Sequence, residues 1–232
     1  MRTIGLIGGM SWESTVPYYR IINETVRDRL GGFHSAKILL YSVDFHEIEL
    51  LQRAEDWGTA GRLLAQAASS LEAAGADLLV LCTNTMHKVA PAIEEAVAIP
   101  LLHIADTTAD EIKVARLRKV GLLGTRFTME QDFYRDRLQS LHDIEVMIPS
   151  EDGREKVHRV IYDELCLGKV RESSRDEFRE IIDRLIGDGA QGIILGCTEI
   201  AMLVGAADST VPVFDTTSIH ARKAAEWATS GR

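Results

Sequence analysis

Short apolar runs alternate along this chain with longer stretches in which apolar residues recur every third or fourth position, and glycine, proline or small polar residues close most of the runs. The first run, Ile4-Gly5-Leu6-Ile7, predicts a strand closed by Gly8-Gly9. Behind it, Val16, Tyr19, Ile22, Val26 and Leu30 predict the apolar stripe of a helix that Gly31 stops. A second strand is expected over 36–43 and a second helix carries Leu63, Leu64, Ala67, Ala68, Leu71 and Ala74 up to Gly75. A third strand is expected at 78–81, and a fourth opens at Pro100-Leu101-Leu102. Strands alternating with helices from end to end are the pattern of parallel sheets covered by helices, so the expected class is α/β.

The order then repeats. Val120-Gly121-Leu122-Leu123-Gly124 answers Ile4-Gly5-Leu6-Ile7-Gly8 at an offset of 116 (120 − 4). Gly189-Ala190 answers Gly75-Ala76 at 114 (189 − 75), and Pro212 to Asp215-Thr216-Thr217 answers Pro100 to Asp106-Thr107-Thr108. Two similar α/β domains are expected, 1–115 and 116–215, with a last helix over 216–232 that could pack back onto the first. No low-complexity linker separates the halves, which favours two lobes sharing a cleft.

The repeat also duplicates a chemical group. Cys82-Thr83 and Cys197-Thr198 each follow the third strand of a half, 115 apart (197 − 82). Ligands of open parallel sheets sit beyond the carboxyl ends of the strands, where both cysteines are expected. Each is followed by a helical pattern, 86–96 and 199–204, whose N-terminus would favour thiolate over a free thiol of pKa about 8.5. A lone cysteine behind a strand is more often core filling. The equivalence of the two, with Thr83, Asn84, Thr85, Thr198 and Glu199 beside them, points instead to paired chemistry. Two thiols on opposite sides of one bound molecule would invert a stereocentre, one as base and one as acid.

Composition narrows the partners. Lys plus Arg number 26 against 35 Asp plus Glu, a net charge of −9 over 232 residues, which opposes nucleic acid or anionic lipid. No stretch approaches a membrane span and the N-terminus lacks a signal-peptide pattern. Three cysteines without CxxC spacing argue against a disulfide framework or metal site and for a reducing cytoplasm. GxGxxG, GxSxG and HExxH patterns are missing, and HEIE at 46–49 lacks its second histidine. His87, five residues past Cys82, could face the cleft but reads first as a helix-surface or capping residue.

GLIGGMSWEST at 5–15, CTNTMH at 82–87, GTRFTM at 124–129 and GCTEI at 196–200 together give a chain that resembles the aspartate/glutamate racemase family, the cofactor-independent two-cysteine amino-acid racemases, over essentially its full length. The set is most similar to the enterobacterial aspartate/glutamate-specific or broad-specificity members. The resemblance implies two pseudo-symmetric flavodoxin-like or Rossmann-like domains, each a parallel four-stranded sheet with helices on both faces, and an active site in the interdomain cleft. It implies Cys82 and Cys197 as acid/base residues, no cofactor or metal, an amino-acid substrate and a homodimer. Thr83, Asn84, Thr85 and Thr198, with backbone near Met10 and Ser11, would hold the α-carboxylate and amine, and Thr125 and Thr128 would complete the pocket. Their alternative role is capping. Glu199 would orient the Cys197 thiol or bind the ammonium group, or is simply a first-turn acid.

Side-chain recognition departs from the family pattern. Where aspartate-type members place an Arg after the second strand and a Lys in the second domain, this chain has Gln52-Arg53 at a different spacing and Cys166, whose simpler reading is core packing. A cysteine does not pair with a carboxylate as lysine does, which points to a broader range. The rival readings are a hydantoin racemase or maleate isomerase of the same superfamily, and a non-catalytic metabolite-binding or redox-sensing protein.

Overall fold

The computed structural model describes residues 1–230. In chain order, β1 (Thr3–Gly8), α1 (Trp12–Leu30), β2 (Lys37–Ser42), α2 (Phe45–Arg53), α3 (Trp57–Ala73), β3 (Leu78–Leu81), α4 (Ala90–Ala96) and β4 (Leu101–Leu102) build a first sheet and its helices. There follow α5 (Ile104–Val114), β5 (Lys119–Gly124), α6 (Arg126–Glu130), α7 (Asp132–His142), β6 (Glu145–Met147), α8 (Glu151–Asp163), α9 (Glu172–Gly187), β7 (Ile193–Gly196), β8 (Val213–Asp215) and α10 (Thr216–Thr229). The two sheets are wholly parallel, with strand orders β2-β1-β3-β4 and β6-β5-β7-β8, so the fold is α/β with one topology used twice.

The chain separates into two compact units, Met1–Ile104 joined by the chain from His220 on, and Ala105–Ile219. The final helix therefore starts in the second unit and continues in the first. It ends at Thr229, and the last two positions of the helix expected over 216–232 lie outside the described residues.

Strand alternation explains the first unit's core. Successive side chains of a strand point to opposite faces, so Leu79 and Leu81 join Ile7 on one face against Leu64, Ala68 and Leu71 of α3. Leu78, Val80 and Cys82 join Ile4 and Leu6 on the other, against Tyr18, Ile22 and Val26 of α1 and Ala221, Ala224, Ala225 and Ala228 of α10. The alanine stripe lets α10 lie close to the strands.

Three expectations need correction. The buried face of α1 runs through Tyr18, Ile22 and Val26, while Val16 and Tyr19 are more than half exposed. The helix expected over 86–96 is a 3₁₀ segment, Thr85–Val89, followed by α4, because Pro91 lacks an amide hydrogen and belongs in a first helical turn. Over 199–204 only the 3₁₀ turn Ile200–Met202 forms, a stretch too short to sustain an α-helix before Gly205. The equivalent glycines after α3 and α9 do share a conformation: Gly75 and Gly189 have φ of 96° and 102°, a region that costs other residues strain.

Candidate active site

In the first unit the parallel register sets Ile7 beside Leu81, and the Cys82 amide donates to the Ile7 carbonyl at 2.9 Å. Gly8 and Cys82 therefore leave the sheet side by side at its carboxyl end. The loop that follows Gly8 is closed by one side chain: the Thr15 hydroxyl accepts from the Gly9 amide and donates to the Ser11 carbonyl, both at 2.9 Å. The Ser14 hydroxyl reaches the same carbonyl at 3.0 Å. Met10 and Ser11 are buried, as are Thr83, Asn84 and Thr85 beyond Cys82. Gln52, on α2, is buried too, its amide 3.1 Å from the Met86 sulfur. Its neighbour Arg53 is exposed and pairs with Glu49 one turn earlier.

The second unit repeats the geometry with glycines where the strands end. Gly124 pairs with Gly196 in register, and a Cβ on Gly124 would lie 2.9 Å from the Gly196 carbonyl oxygen and 3.1 Å from Thr128 Cβ. Thr128 thus packs directly over two bare backbones, as Thr15 does over Gly8. Thr125 caps α6, its hydroxyl accepting from the Thr128 amide at 3.3 Å and lying 3.2 Å from the Thr128 hydroxyl. Cys197 and Thr198 both donate to one oxygen of Glu199, at 2.9 Å each. All three are buried. Of the two roles read for Glu199, this contact is to the thiol.

Burial decides the charge state of the thiols. Cys82 is fully enclosed, its sulfur 3.7 Å from the Val80 carbonyl, and loss of water pushes its pKa well up. Cys197 is pushed up by burial first, and then by the negative charge of Glu199 and by Cys166. The expected helix N-termini are short 3₁₀ turns carrying little dipole, and the backbone amide of Glu199, which favours the Cys197 thiolate, is outweighed by desolvation, so both groups rest as thiols. Cys166 lies on the 3₁₀ turn Leu165–Leu167 and is half-buried. Among the described residues no group of three or more His, Cys, Asp or Glu could hold a metal ion, and no helix is long and apolar enough to cross a membrane.

Sequence reasoning passed over a buried cluster behind Cys82. His87 Nδ1 lies 2.7 Å from the Thr83 carbonyl, and its Nε2 accepts from the Ile104 amide at 3.2 Å. His103 stacks edge-on at 4.4 Å between ring centroids and His220 at 6.0 Å. His220 in turn meets the Tyr18 hydroxyl at 2.9 Å and donates to the Leu102 carbonyl at 2.8 Å. The available signal was the four-residue spacing from Thr83 to His87, which brings a side chain back onto a backbone carbonyl.

The family model for Asp/Glu/hydantoin racemases matches residues 7–224. A candidate Asp/Glu racemase from Yersinia pestis, known from its crystal structure, is 62% identical with a TM-score of 0.92, covering 98% of this chain and 99% of its own. An aspartate racemase homologue from Pyrococcus horikoshii OT3 is 36% identical with a TM-score of 0.85, over 99% of this chain and 100% of its own. The broad-specificity amino-acid racemase RacX of Bacillus subtilis is 22% identical over 231 residues, 94% of this chain and 95% of its own.

Proposed function

We propose that this chain, which belongs to the Asp/Glu/hydantoin racemase family, interconverts the L- and D-forms of free amino acids without pyridoxal phosphate, using Cys82 and Cys197 as the two acid/base groups. The observation that carries the reading is the duplication itself: in each of two sheets of one topology, the third strand delivers a Cys-Thr pair at its carboxyl end. One cysteine, as thiolate, takes the α-hydrogen as a proton and leaves the electron pair on an enolate-like carbanion. The other, as thiol, gives a proton to the opposite face, so the two end with exchanged protonation states.

Both thiols start protonated, so one proton must first move. Glu199 is the acceptor in reach of Cys197, and transfer across the 2.9 Å contact makes a thiolate and a neutral carboxyl from a thiol and a carboxylate. The hydroxyls of Thr83, Thr85, Thr125, Thr128 and Thr198, with Asn84, Met10 and Ser11, bind the α-carboxylate and ammonium group and stabilise the carbanion. By the resemblance to aspartate-type members, this chain carries Gln52-Arg53 at a different spacing and Cys166 in place of the cations that strict carboxylate recognition would need. The substrate range is therefore broad, extending beyond aspartate and glutamate, in keeping with the name of the Bacillus relative. A homodimer in a reducing cytoplasm completes the reading.

The test is a panel of L-amino acids, with hydantoins as a second arm, incubated in deuterated water. Optical activity and the α-proton resonance should decay together, and Cys82→Ser and Cys197→Ser should each abolish inversion. An active single variant would sink the two-base mechanism, and hydantoin turnover without amino-acid turnover would reassign the substrate.

A further inference from the structure

We propose that His87 is a positioning residue for Cys82, held as the Nδ1–H tautomer so that it grips the turn after the cysteine with one ring nitrogen and the β4–α5 junction with the other. The inference rests on the racemase reading for its catalytic consequence and on hydrogen bonding for its geometry.

The tautomer follows from the partners. A carbonyl oxygen only accepts, so the nitrogen 2.7 Å from the Thr83 oxygen carries a proton. A backbone amide only donates, so the nitrogen facing the Ile104 amide is bare. Both in-plane positions of the ring are thus committed, and the edge-on His103 ring at 4.4 Å fills the space beside it. A surface or capping histidine needs none of this, and His87 is only 2% exposed.

The grip falls where the chain leaves the sheet. Between the end of β3 at Leu81 and the 3₁₀ turn beginning at Thr85, residues 82–84 belong to no helix or strand. In a trans peptide the N–H points opposite to the carbonyl. Fixing the Thr83 oxygen therefore also aims the Asn84 amide, and with it the polar residues assigned to the substrate. At the other end Ile104 is the last residue before the chain enters the second unit. His87 accordingly ties the cysteine's turn to a fixed point of β4–α5 rather than to a mobile side chain.

The experiment compares His87→Phe, which fills the cavity but bonds to nothing, with His87→Gln, whose amide supplies both a donor and an acceptor. Thermal melts by circular dichroism check folding. His87→Phe is expected to lower kcat by about 10²-fold with KM little changed, the scale of an ångström-level misplacement, and His87→Gln to recover most of the loss. Independently, ¹⁵N-imidazole spectra of the wild-type protein, assigned by difference against His87→Gln, should show His87 protonated on Nδ1 and bare on Nε2. A proton on Nε2, or an active wild type whose folded His87→Phe variant keeps its kcat, overturns the inference. A wild type without racemase activity overturns the functional reading instead, and the spectra then judge the geometry alone. If His87→Phe does not fold, the spectra decide.

Discussion

His220 offers a quantitative test of the buried histidine cluster, because its environment sets the pH dependence of stability. The ring is completely buried between Tyr18 and the Leu102 carbonyl, and burial lowers its pKa from 6.5 to about 4 despite the favourable carbonyl bond. Its Nε2 donates to the carbonyl, so its Nδ1 accepts from the Tyr18 hydroxyl, and protonation there would break that bond. The unfolded chain takes up the proton near 6.5, whereas the folded chain resists until about 4. Stability is therefore intact above pH 6.5 and is lost progressively as pH falls toward 4. At pH 5 the loss from this group is about 2 kcal/mol, and its limit below pH 4 is about 3 kcal/mol. Urea unfolding of the wild type and of His220→Gln at pH 8 and pH 5 isolates it, since the other histidines cancel in the difference. The variant should be less stable at pH 8 but lose about 2 kcal/mol less than the wild type on going to pH 5. Equal losses in the two proteins would refute the assignment of a neutral buried ring.

Other outcomes follow from the site. A thiol reagent such as DTNB should modify one cysteine quickly, and Cys166→Ser should remove that phase, because Cys82 and Cys197 are enclosed and protonated; fast labelling of Cys82 would contradict this. Glu199→Gln preserves an acceptor for the Cys197 thiol but not a base, so steady-state racemisation should fall by about 10²- to 10⁴-fold, and a kcat within twofold of wild type would remove Glu199 from the proton path. Gly9→Ala places a Cβ at φ 88° onto the Val43 carbonyl, which should cost about 3 kcal/mol in chemical denaturation. Gly196→Ala, whose Cβ would sit 2.6 Å from Leu122 Cδ1 and 3.0 Å from the Leu123 carbonyl, should displace the strand end before Cys197 and lower activity before stability; unchanged kinetics would show that this strand end tolerates movement.

The strands were legible because buried parallel strands are unbroken apolar runs, and Leu78–Leu81 fell where expected. Helix α2 was not, although Asp44 is its cap, accepting from the His46 amide at 3.0 Å, and Phe45, Ile48 and Leu51 line its core side; at nine residues its stripe spans little more than two turns. Whether the last helix joined the first domain could not be read, since an alanine stripe looks the same on any surface. The positions of the cysteines were a matter of local pattern, but their protonation was not. Desolvation is set by atoms brought in from α1 and α10 around Cys82, and no spacing within CTNT encodes them. His87 was read as a surface or capping residue for a related reason, because its partner Ile104 is distant in sequence.

The alanines of α10 have a consequence for how the protein is made. Ile4, Leu6, Val80 and Cys82 are walled in partly by Ala221, Ala224, Ala225 and Ala228, residues made only after the whole of the second unit. The second unit is one unbroken stretch of chain and can complete itself during synthesis. The first, though translated earlier, waits with one sheet face unsealed until the part of α10 that follows the second unit has been made, so translation that stops at Ile219 yields a chain whose second unit is whole and whose first cannot close.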